Sequence, residues 1–339
     1  MEAGTAHLEN LLADLKSSNS LILDGHRAFD LYATYGLPFE ISRDIAREQG
    51  LDVDGKGFNE AKEKHALASG GGKAMGKLGG EDAEFFAEIL KDLQSKKKLG
   101  KNGVEYDPYN SPRVEGEVLA LIVNGQSVES ASLDDQVQVI LPKTGFYIEA
   151  GGQVDDTGYN KSLPPFSEKM GGAGGGWEIE ITSMRRASAG VIVHLGTVIS
   201  GQPKVGDNAI AEVDLSRRHD IMRNHTATHL LHKALHTVLS DQATQAGSLV
   251  APDRLRFDFN HPEALTSEQL ERIERMVNDA IAADMPVQKE IKSLDEAKKE
   301  GAMALFGEKY GETVRTISIL EDDSKYSYEL CGGTHLERT

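Results

Sequence analysis

The residues best suited to chemistry lie in one stretch, Arg223-Asn-His-Thr-Ala-Thr-His-Leu-Leu-His232. Its first two histidines, His225 and His229, are four positions apart, a spacing that places both imidazoles on one face of a helix, one turn apart. Two neutral imidazoles in that arrangement make half of a site for a borderline metal such as zinc. His232 and His236 continue the same helical stripe, so spacing alone does not decide which pair would bind a metal.

The remaining donors occur near the end of the sequence, in Cys331-Gly-Gly-Thr-His335, where Cys331 is the only cysteine of the chain. The two glycines allow a tight backbone turn, so the thiolate and the imidazole can face the same point. With His225 and His229 they complete a His/His/Cys/His set, which is the chemistry of tetrahedral zinc, and zinc is the predicted cofactor. Thr226 stands where a zinc protease has the glutamate of its HExxH motif, which excludes that class.

The elements that must position these donors are predicted to form a mixed α+β domain over residues 216–339. Ser216 can cap a long helix that carries the histidines, and a second helix with apolar residues on one face follows Thr266. A strand over 326–330 delivers Cys331 at its end. The zinc ligands would therefore come from a helix and from a strand end.

Residues 104–215 show the alternating or continuous apolar runs of strands, separated by glycine and proline, and these runs predict a small β-barrel. Within it, the segment 146–158 reads FYIEAGGQVDDTG, where Gly151 and Gly152 permit close backbone approach to a ligand. A second glycine run, 171–176, lacks the lysine and the following helix of a P-loop, and we interpret it as a mobile loop. The polar residues beside the first glycine pair are Gln153, Asp155, Asp156 and Thr157.

Residues 1–103 are predicted to form a helical module that carries no catalytic constellation. Apolar residues recur there at helical spacing, Ser42 is a plausible N-cap, and another polar helix is predicted over 58–68. Glycines over 69–80 indicate a flexible linker. The predicted fold class is thus a multidomain α+β protein with an N-terminal helical module, a small β-barrel and an α+β zinc-containing domain.

Composition limits the classes of protein to consider. The 339 residues are 39% hydrophobic and 27% charged, which is ordinary for a globular protein of two or three domains. One cysteine fits a reducing compartment, and the sequence has neither a long apolar run nor a signal peptide, so we expect a cytoplasmic protein without a membrane partner. The net charge of −17 argues against broad, non-specific nucleic-acid binding. Two local basic clusters are exceptions: Lys96, Lys97, Lys98 and Lys101, and Arg217, Arg218 and Arg223.

Several motifs, in order along the chain, resemble one family. The segments NHTATHLL, QAGSLV, LRFDFNH, FGEKYG and CGGTH resemble the editing domain of alanyl-tRNA synthetases and of the free-standing deacylases that share it. FYIEAGGQVDDTG resembles the glycine-rich motif of the preceding barrel, and AFDLYATYGLPFEISRDIAREQG resembles the helical tRNA-recognition region. Because the free-standing deacylases lack that helical part, the synthetase is the closer match.

The resemblance implies hydrolysis of the ester bond in mischarged Ser-tRNA(Ala) and Gly-tRNA(Ala), with the acceptor end of tRNA(Ala) as partner. It also implies an aminoacylation domain upstream, which would use ATP, and an editing domain that continues past CGGTH. A C-terminal region would follow, through which the full protein would oligomerise. We therefore expect this chain to be a fragment that does not charge tRNA. The implied roles are zinc ligands for His225, His229, Cys331 and His335, a catalytic role for Gln245, and substrate binding for Gly151, Gly152, Gln153 and Thr157.

Three questions stay open at this level. Zinc could activate a water or bind the amino or hydroxyl group of the substrate. The family usually has a small residue where Asp155 stands, and the added carboxylate could alter substrate or metal affinity. Two other functional classes also remain: a non-catalytic tRNA-binding fragment with structural zinc, and an unrelated metal-dependent hydrolase of small esters.

Overall fold

The computed structural model describes residues 2–17, 21–35, 37, 39–58, 61, 82–163, 176–240, 243–304, 311–322 and 324–339. Within these ranges the helices are α1 (Glu2–Ser17), α2 (Gly25–Tyr35), α3 (Phe39–Glu48), α4 (Asp82–Ser95), α5 (Leu215–Val238), α6 (Ser267–Ala282) and α7 (Leu294–Lys299). The strands are β1 (Ile22–Leu23), β2 (Asp52–Val53), β3 (Glu105–Tyr106), β4 (Arg113–Glu117), β5 (Ala120–Val123), β6 (Gln126–Val128), β7 (Gln136–Ile140), β8 (Lys143–Thr144), β9 (Gly158–Ser162), β10 (Glu178–Ser188), β11 (Val191–Ser200), β12 (Asn208–Val213), β13 (Gln245–Val250), β14 (Leu255–Phe259), β15 (Val287–Ser293), β16 (Thr313–Glu321) and β17 (Ser324–Leu330).

The chain divides into two compact units, residues 1–76 and 77–339. In the first unit, α1, α2 and α3 pack around a core that includes Leu8 and Leu12, and the short strands β1 and β2 form a parallel pair. The helical prediction is confirmed for these three helices, but Ser42 lies buried inside α3 and does not cap it. The predicted linker lies outside the described residues, as does most of the helix predicted over 58–68.

The second unit is built on an eight-stranded antiparallel sheet with the order β4-β12-β9-β10-β11-β7-β5-β6. Strands β4 and β5 are separated by only two residues, yet β4 pairs with β12 at one end of the sheet and β5 pairs with β7 near the other end. The two connecting residues bond to both sides, since Val118 N donates to Asp207 O and Leu119 N donates to Ile140 O. The sheet therefore curls, but among the described residues its end strands β4 and β6 do not pair with each other, so the predicted small β-barrel is not closed. Alternation in sequence identifies strands, whereas closure depends on tilt and stagger, which alternation does not encode.

Helix α4 belongs to the core of this sheet, since Phe86 and Leu93 are buried against its strands. The basic clusters noted in the sequence are largely engaged in ion pairs. Arg218 is buried and pairs with Asp156, while Arg217 donates to the backbone oxygen of Asp155. The other engaged pairs are Lys96 with Asp92, Lys98 with Glu117, and Arg223 with Asp220.

The elements that carry the predicted metal ligands follow the sheet. Helix α5 begins after Asp214, whose carboxylate accepts from Arg217 N at 3.0 Å, so the predicted Ser216 cap is two residues too late. Helix α6 begins with the predicted Thr266 cap, which is confirmed as a capping box with Gln269. Strands β15, β16 and β17 form an antiparallel sheet, and β17 ends directly before the Cys331 loop. The mixed α+β character of this region is confirmed.

The run 171–176 falls outside the described residues except for its last glycine, and the FGEKYG motif does so likewise. Across the described part of the chain, no helix combines the length and apolar composition that a membrane crossing requires.

Candidate metal centre

Helix α5 and the loop after β17 bring four donor side chains together. The rings of His225 and His229 stack with 5.7 Å between centroids and a 5° interplanar angle, as the four-residue helical spacing predicts. The His335 ring lies 4.4 Å from His225 and 4.9 Å from His229, measured between centroids. With the Cys331 sulfur included, the ligand atoms of these four residues all lie within 4.8 Å of one another.

The donor set suits zinc. Cys331 Sγ is 3.3 Å from His225 Nε2 and 3.3 Å from His335 Nε2. His229 Nε2 is buried and has no hydrogen-bond partner among the described residues. A buried nitrogen left without a partner costs free energy unless something else satisfies it. Three imidazoles and a thiolate fit a four-coordinate zinc ion, which would satisfy that nitrogen.

A polar partner contacts the far nitrogen of each ring. His229 Nδ1 is 3.0 Å from Glu329 Oε2, and His225 Nδ1 is 2.6 Å from Gln153 Oε1. His335 Nδ1 has a longer contact, 3.4 Å to the hydroxyl of Thr226. Such outer partners fix ring orientation and tautomer in metal sites.

Sequence reasoning missed Glu329. Its signal was present, because a period of two along a strand places Glu329 on the same face as Cys331. The buried carboxylate lies 3.0 Å from His229 Nδ1 and 3.1 Å from His232 Nδ1, both measured to Oε2. Its other oxygen, Oε1, accepts a hydrogen bond from the Ser327 hydroxyl at 3.1 Å. The Glu329 carboxylate therefore orients the imidazole rings of both His229 and His232, and these contacts offset the cost of burying its own negative charge.

The electrostatics favour the metal-binding forms of Cys331 and His335, whereas His229 holds a proton that a metal would have to displace. Burial raises the pKa of the Cys331 thiol, but the imidazoles of His225 and His335 lower it by more, so its pKa lies well below its usual range. Burial and the nearby His225 ring lower the pKa of His335 to about 3. Burial also lowers the pKa of His229, but the Glu329 carboxylate outweighs it and raises this pKa to about 10. A metal at His229 Nε2 would replace the second proton of the imidazolium, the one on Nε2, while the proton on Nδ1 stays with Glu329.

The Cys331–His335 loop has little freedom. A Cβ atom at Gly333 would lie 1.9 Å from the His225 ring, so this position accepts only glycine. Arg315 Nη1 donates to the backbone oxygens of Cys331 and Gly333 at 3.0 and 2.7 Å. The Arg315 guanidinium lies 4.1 Å above the Tyr109 ring, and the Tyr109 hydroxyl donates to Gly332 O at 2.6 Å. Neither Arg315 nor Tyr109 carried a recognisable signal in the sequence.

A cavity of about 220 Å³ opens beside the donors. Gln245 and Ser248 of β13 line it, and Gln245 Nε2 donates to Ser248 Oγ at 3.0 Å. The full lining consists of Tyr147, Ala150, Gly151, His225, Thr228, His229, Gln245, Ser248, Glu329, Leu330, Cys331, Gly332 and Gly333.

Of the residues predicted to contact substrate, Gln245 and Gly151 belong to this lining, whereas Gly152, Gln153 and Thr157 lie outside it. Gln153 is fully buried. The backbone oxygen of Thr157 accepts from Asp214 N at 2.8 Å, at the start of α5.

The carboxylate of Asp155 is bound to the sheet. It accepts from Ser183 Oγ at 2.7 Å and from Met184 N at 2.8 Å, both on β10. Asp155 also lies outside the lining of the cavity. These contacts give Asp155 a structural use in the sheet.

The chain belongs to the class II (A) tRNA synthetases, whose family model matches residues 1–217. Its curated relatives include alanine–tRNA ligases, which confirms the family resemblance of the motifs. The ligase of Thermus thermophilus is 44% identical over 344 residues, which cover all of this chain and 36% of that relative. The ligases of Desulforamulus reducens and Myxococcus xanthus are each 40% identical to this chain. Each alignment covers the whole chain, together with 36% of the first relative and 35% of the second. The chain thus spans about a third of their length.

Proposed function

We propose that this chain is the editing part of an alanyl-tRNA synthetase and hydrolyses Ser-tRNA(Ala) and Gly-tRNA(Ala) in a zinc-dependent reaction. The observation that carries the proposal is the convergence of four donors within 4.8 Å of one another beside a cavity of about 220 Å³. His225, His229, Cys331 and His335 would hold the metal. Zinc bound there supplies a Lewis acid, either to a water or to the amino or hydroxyl group of the substrate.

The protein groups around the cavity would recognise the aminoacyl end. A cavity of about 220 Å³ suits an amino acid better than a whole nucleotide, so the tRNA would present its acceptor end from outside. Thr228, Gln245 and Ser248 give the lining hydroxyl and amide groups beside the donors. Such groups can favour serine over alanine, because a site built for hydrogen bonds loses them when the substrate hydroxyl is missing. Gln245, linked to Ser248, is the residue we propose to orient substrate or water.

The relatives supply the wider context of the proposal. The proteins named alanine–tRNA ligase join alanine to tRNA, and by analogy the complete protein would do so in the cytoplasm with ATP and tRNA(Ala) as substrates. We propose that oligomerisation, like ATP use, belongs to other parts of such a protein. This chain supplied with alanine, ATP and tRNA is expected to form no alanyl-tRNA.

The decisive experiment compares release of serine, glycine and alanine from charged tRNA(Ala), with zinc content measured on the same samples. The parent chain is expected to contain zinc and to release serine and glycine but to spare alanine. Cys331→Ala should lose zinc and hydrolysis together. His219→Ala, which alters an exposed histidine on the same helix, is the matched control and should keep both.

One observation favours a second candidate, a tRNA-binding role with structural zinc. Four protein ligands complete a tetrahedral set, as in closed structural sites. A folded, zinc-loaded chain that binds tRNA(Ala) without hydrolysing any ester would support that role. Equal hydrolysis of small amino acid esters and of charged tRNA would instead indicate a general esterase and contradict both.

A further inference from the structure

Gln153 lies at a junction of three segments. Its backbone and that of its neighbours pair with β13, because Val250 N donates to Gly152 O at 2.7 Å and Val154 N donates to Val250 O at 3.1 Å. Its side chain leaves that strand and reaches both His225 on α5 and Thr334 in the Cys331–His335 loop. The glycine-rich segment, the helix and the loop therefore meet at one amide group.

The amide orientation follows from its partners. The backbone N–H of Thr334 can only donate, and it lies 2.8 Å from Gln153 Oε1, so the atom in that position must be the oxygen. Gln153 Nε2 then donates to Thr334 Oγ1 at 2.9 Å. Every polar atom of the side chain thus has a partner within the protein, and none is directed at the cavity.

The tautomer of His225 follows in turn. Its Nδ1 atom lies 2.6 Å from the same Gln153 Oε1, which is an acceptor only, so Nδ1 must carry the proton. In the neutral ring Nε2 then keeps its lone pair, and this atom faces Cys331 Sγ at 3.3 Å. The amide of Gln153 therefore selects the one neutral form of His225 that can ligate a metal at the cluster.

The surrounding glycines leave the space that this arrangement needs. A Cβ atom on Gly333 would lie 2.8 Å from Gln153 Oε1 as well as 1.9 Å from the His225 ring. Gly152 has a φ of +83°, and a Cβ atom there would lie 2.3 Å from Ser248 Oγ. Close packing on both sides keeps the amide in place.

We propose that Gln153 is a positioning residue of the metal centre, which fixes the tautomer and orientation of His225 and couples the glycine-rich segment to the Cys331–His335 loop. This role replaces the substrate contact expected from the sequence. It rests on the proposed zinc-dependent function. Because outer partners of metal-bound histidines typically contribute 10- to 100-fold in affinity, loss of the amide should weaken zinc binding by about that factor.

The test measures zinc affinity by chelator competition for the full chain and three variants. Gln153→Leu keeps roughly the side-chain size but removes the hydrogen-bond acceptor. It should weaken zinc binding about 10- to 100-fold, the usual loss when an outer partner of a metal-bound histidine is removed. Gln153→Glu keeps an acceptor for His225 and for Thr334 N, and should restore most of the affinity. Gln138→Leu removes a half-buried glutamine that accepts from Arg185 on the sheet, and should leave zinc affinity unchanged.

A second measurement needs no substitution. Imidazole nitrogen NMR on the zinc-loaded parent chain should show His225 protonated at Nδ1 and bound through Nε2. The opposite assignment would overturn the inference, even if Gln153→Leu fails to fold. So would a Gln153→Leu chain that binds zinc as tightly as the parent but shows a raised KM, since that pattern indicates a substrate contact.

The inference and the proposed function fail in distinguishable ways. A parent chain that binds no zinc removes the metal-dependent function and the positioning role with it. A parent chain that binds zinc and releases serine, together with an unaffected Gln153→Leu variant, removes only the positioning role.

Discussion

Helix α5 presents two pairs of histidines on one stripe, and the two pairs have different surroundings. His225 and His229 face Cys331 and His335 across a cluster of four donors. His232 instead directs Nδ1 to Glu329, and its ring packs 5.1 Å from Phe257 and 4.5 Å from His236, measured between centroids. The same residue type, helix and spacing therefore give a candidate metal site in one turn and a packed polar contact in the next.

The difference teaches that helical spacing makes a pair of imidazoles available, while the facing segment decides its use. Only the first pair meets a thiolate. Glu329 connects the two pairs, because its Oε2 atom accepts from both His229 and His232. Substitutions in each pair can break or sharpen this distinction.

Removal of one histidine from each pair should give opposite results. His229→Ala deletes a donor of the cluster and should lower zinc affinity by more than the roughly 100-fold limit for an outer contact. His236→Ala makes the same change about two turns further along the same stripe and should keep full zinc content. Metal analysis after dialysis checks both. Equal zinc loss in the two variants would mean that the helix folds only as a whole and that the pairs are not distinct.

Glu329→Gln should weaken zinc binding about 10- to 100-fold, because a neutral amide is a poorer partner for the proton on His229 Nδ1. It should also destabilise the fold, since His232 loses the same carboxylate. Chelator competition and thermal unfolding measure the two effects. Glu290→Gln, which alters an exposed glutamate on β15, is the control. Unchanged zinc affinity in Glu329→Gln would show that the carboxylate serves only the second pair.

His194 extends the comparison to a histidine buried without a carboxylate. Its Nε2 and Nδ1 atoms contact Thr144 and Asn160 at 2.9 and 3.2 Å, and burial lowers its pKa from 6.5 to about 3. Between those values the unfolded chain binds a proton that the folded chain excludes, so stability should fall as the pH falls, by at most about 1.4 kcal/mol per pH unit.

The measurement is the free energy of unfolding in urea from pH 7 to pH 4. His194→Asn should flatten the pH dependence, whereas His219→Asn, at an exposed position, should leave it as in the parent. An unchanged slope in His194→Asn would assign the acid sensitivity to other groups.

The smallest effect is expected for His232→Gln. This change replaces the imidazole contact to Glu329 with a weaker amide contact and removes the ring packing on Phe257, so it should lower the free energy of unfolding by about 1–3 kcal/mol. Zinc content should stay at the parent level, because His229 keeps its own bond to Glu329. A stable His232→Gln chain that has lost zinc would place the second pair in the metal site after all.

Local signals in the sequence were sufficient for several features. The Thr266 capping box depends on residues three positions apart, and the stacked rings of His225 and His229 depend on four, so each is encoded within one helical turn. The order of the motifs identified the family. The same local reasoning failed for the Ser216 cap, because Asp214 competes for the same helix start.

Features that depend on residues far apart in the sequence could not be predicted from such local patterns. Closure of the sheet depends on strand register, which no alternating pattern records, and the sheet proved open. Arg315 and Tyr109 hold the Cys331 loop although they are distant from each other in sequence. Their roles exist only once the chain has folded.

The sequence by itself determined the donor types, their helical and loop spacing and the family to which the chain belongs. Only the tertiary structure decided which histidines meet Cys331, that Glu329 serves two rings, and that Gln153 faces His225 and not the cavity. The physical reason is that spacing fixes distances within a helical turn or a tight loop, whereas a metal centre needs segments far apart in sequence to pack with their lone pairs converging.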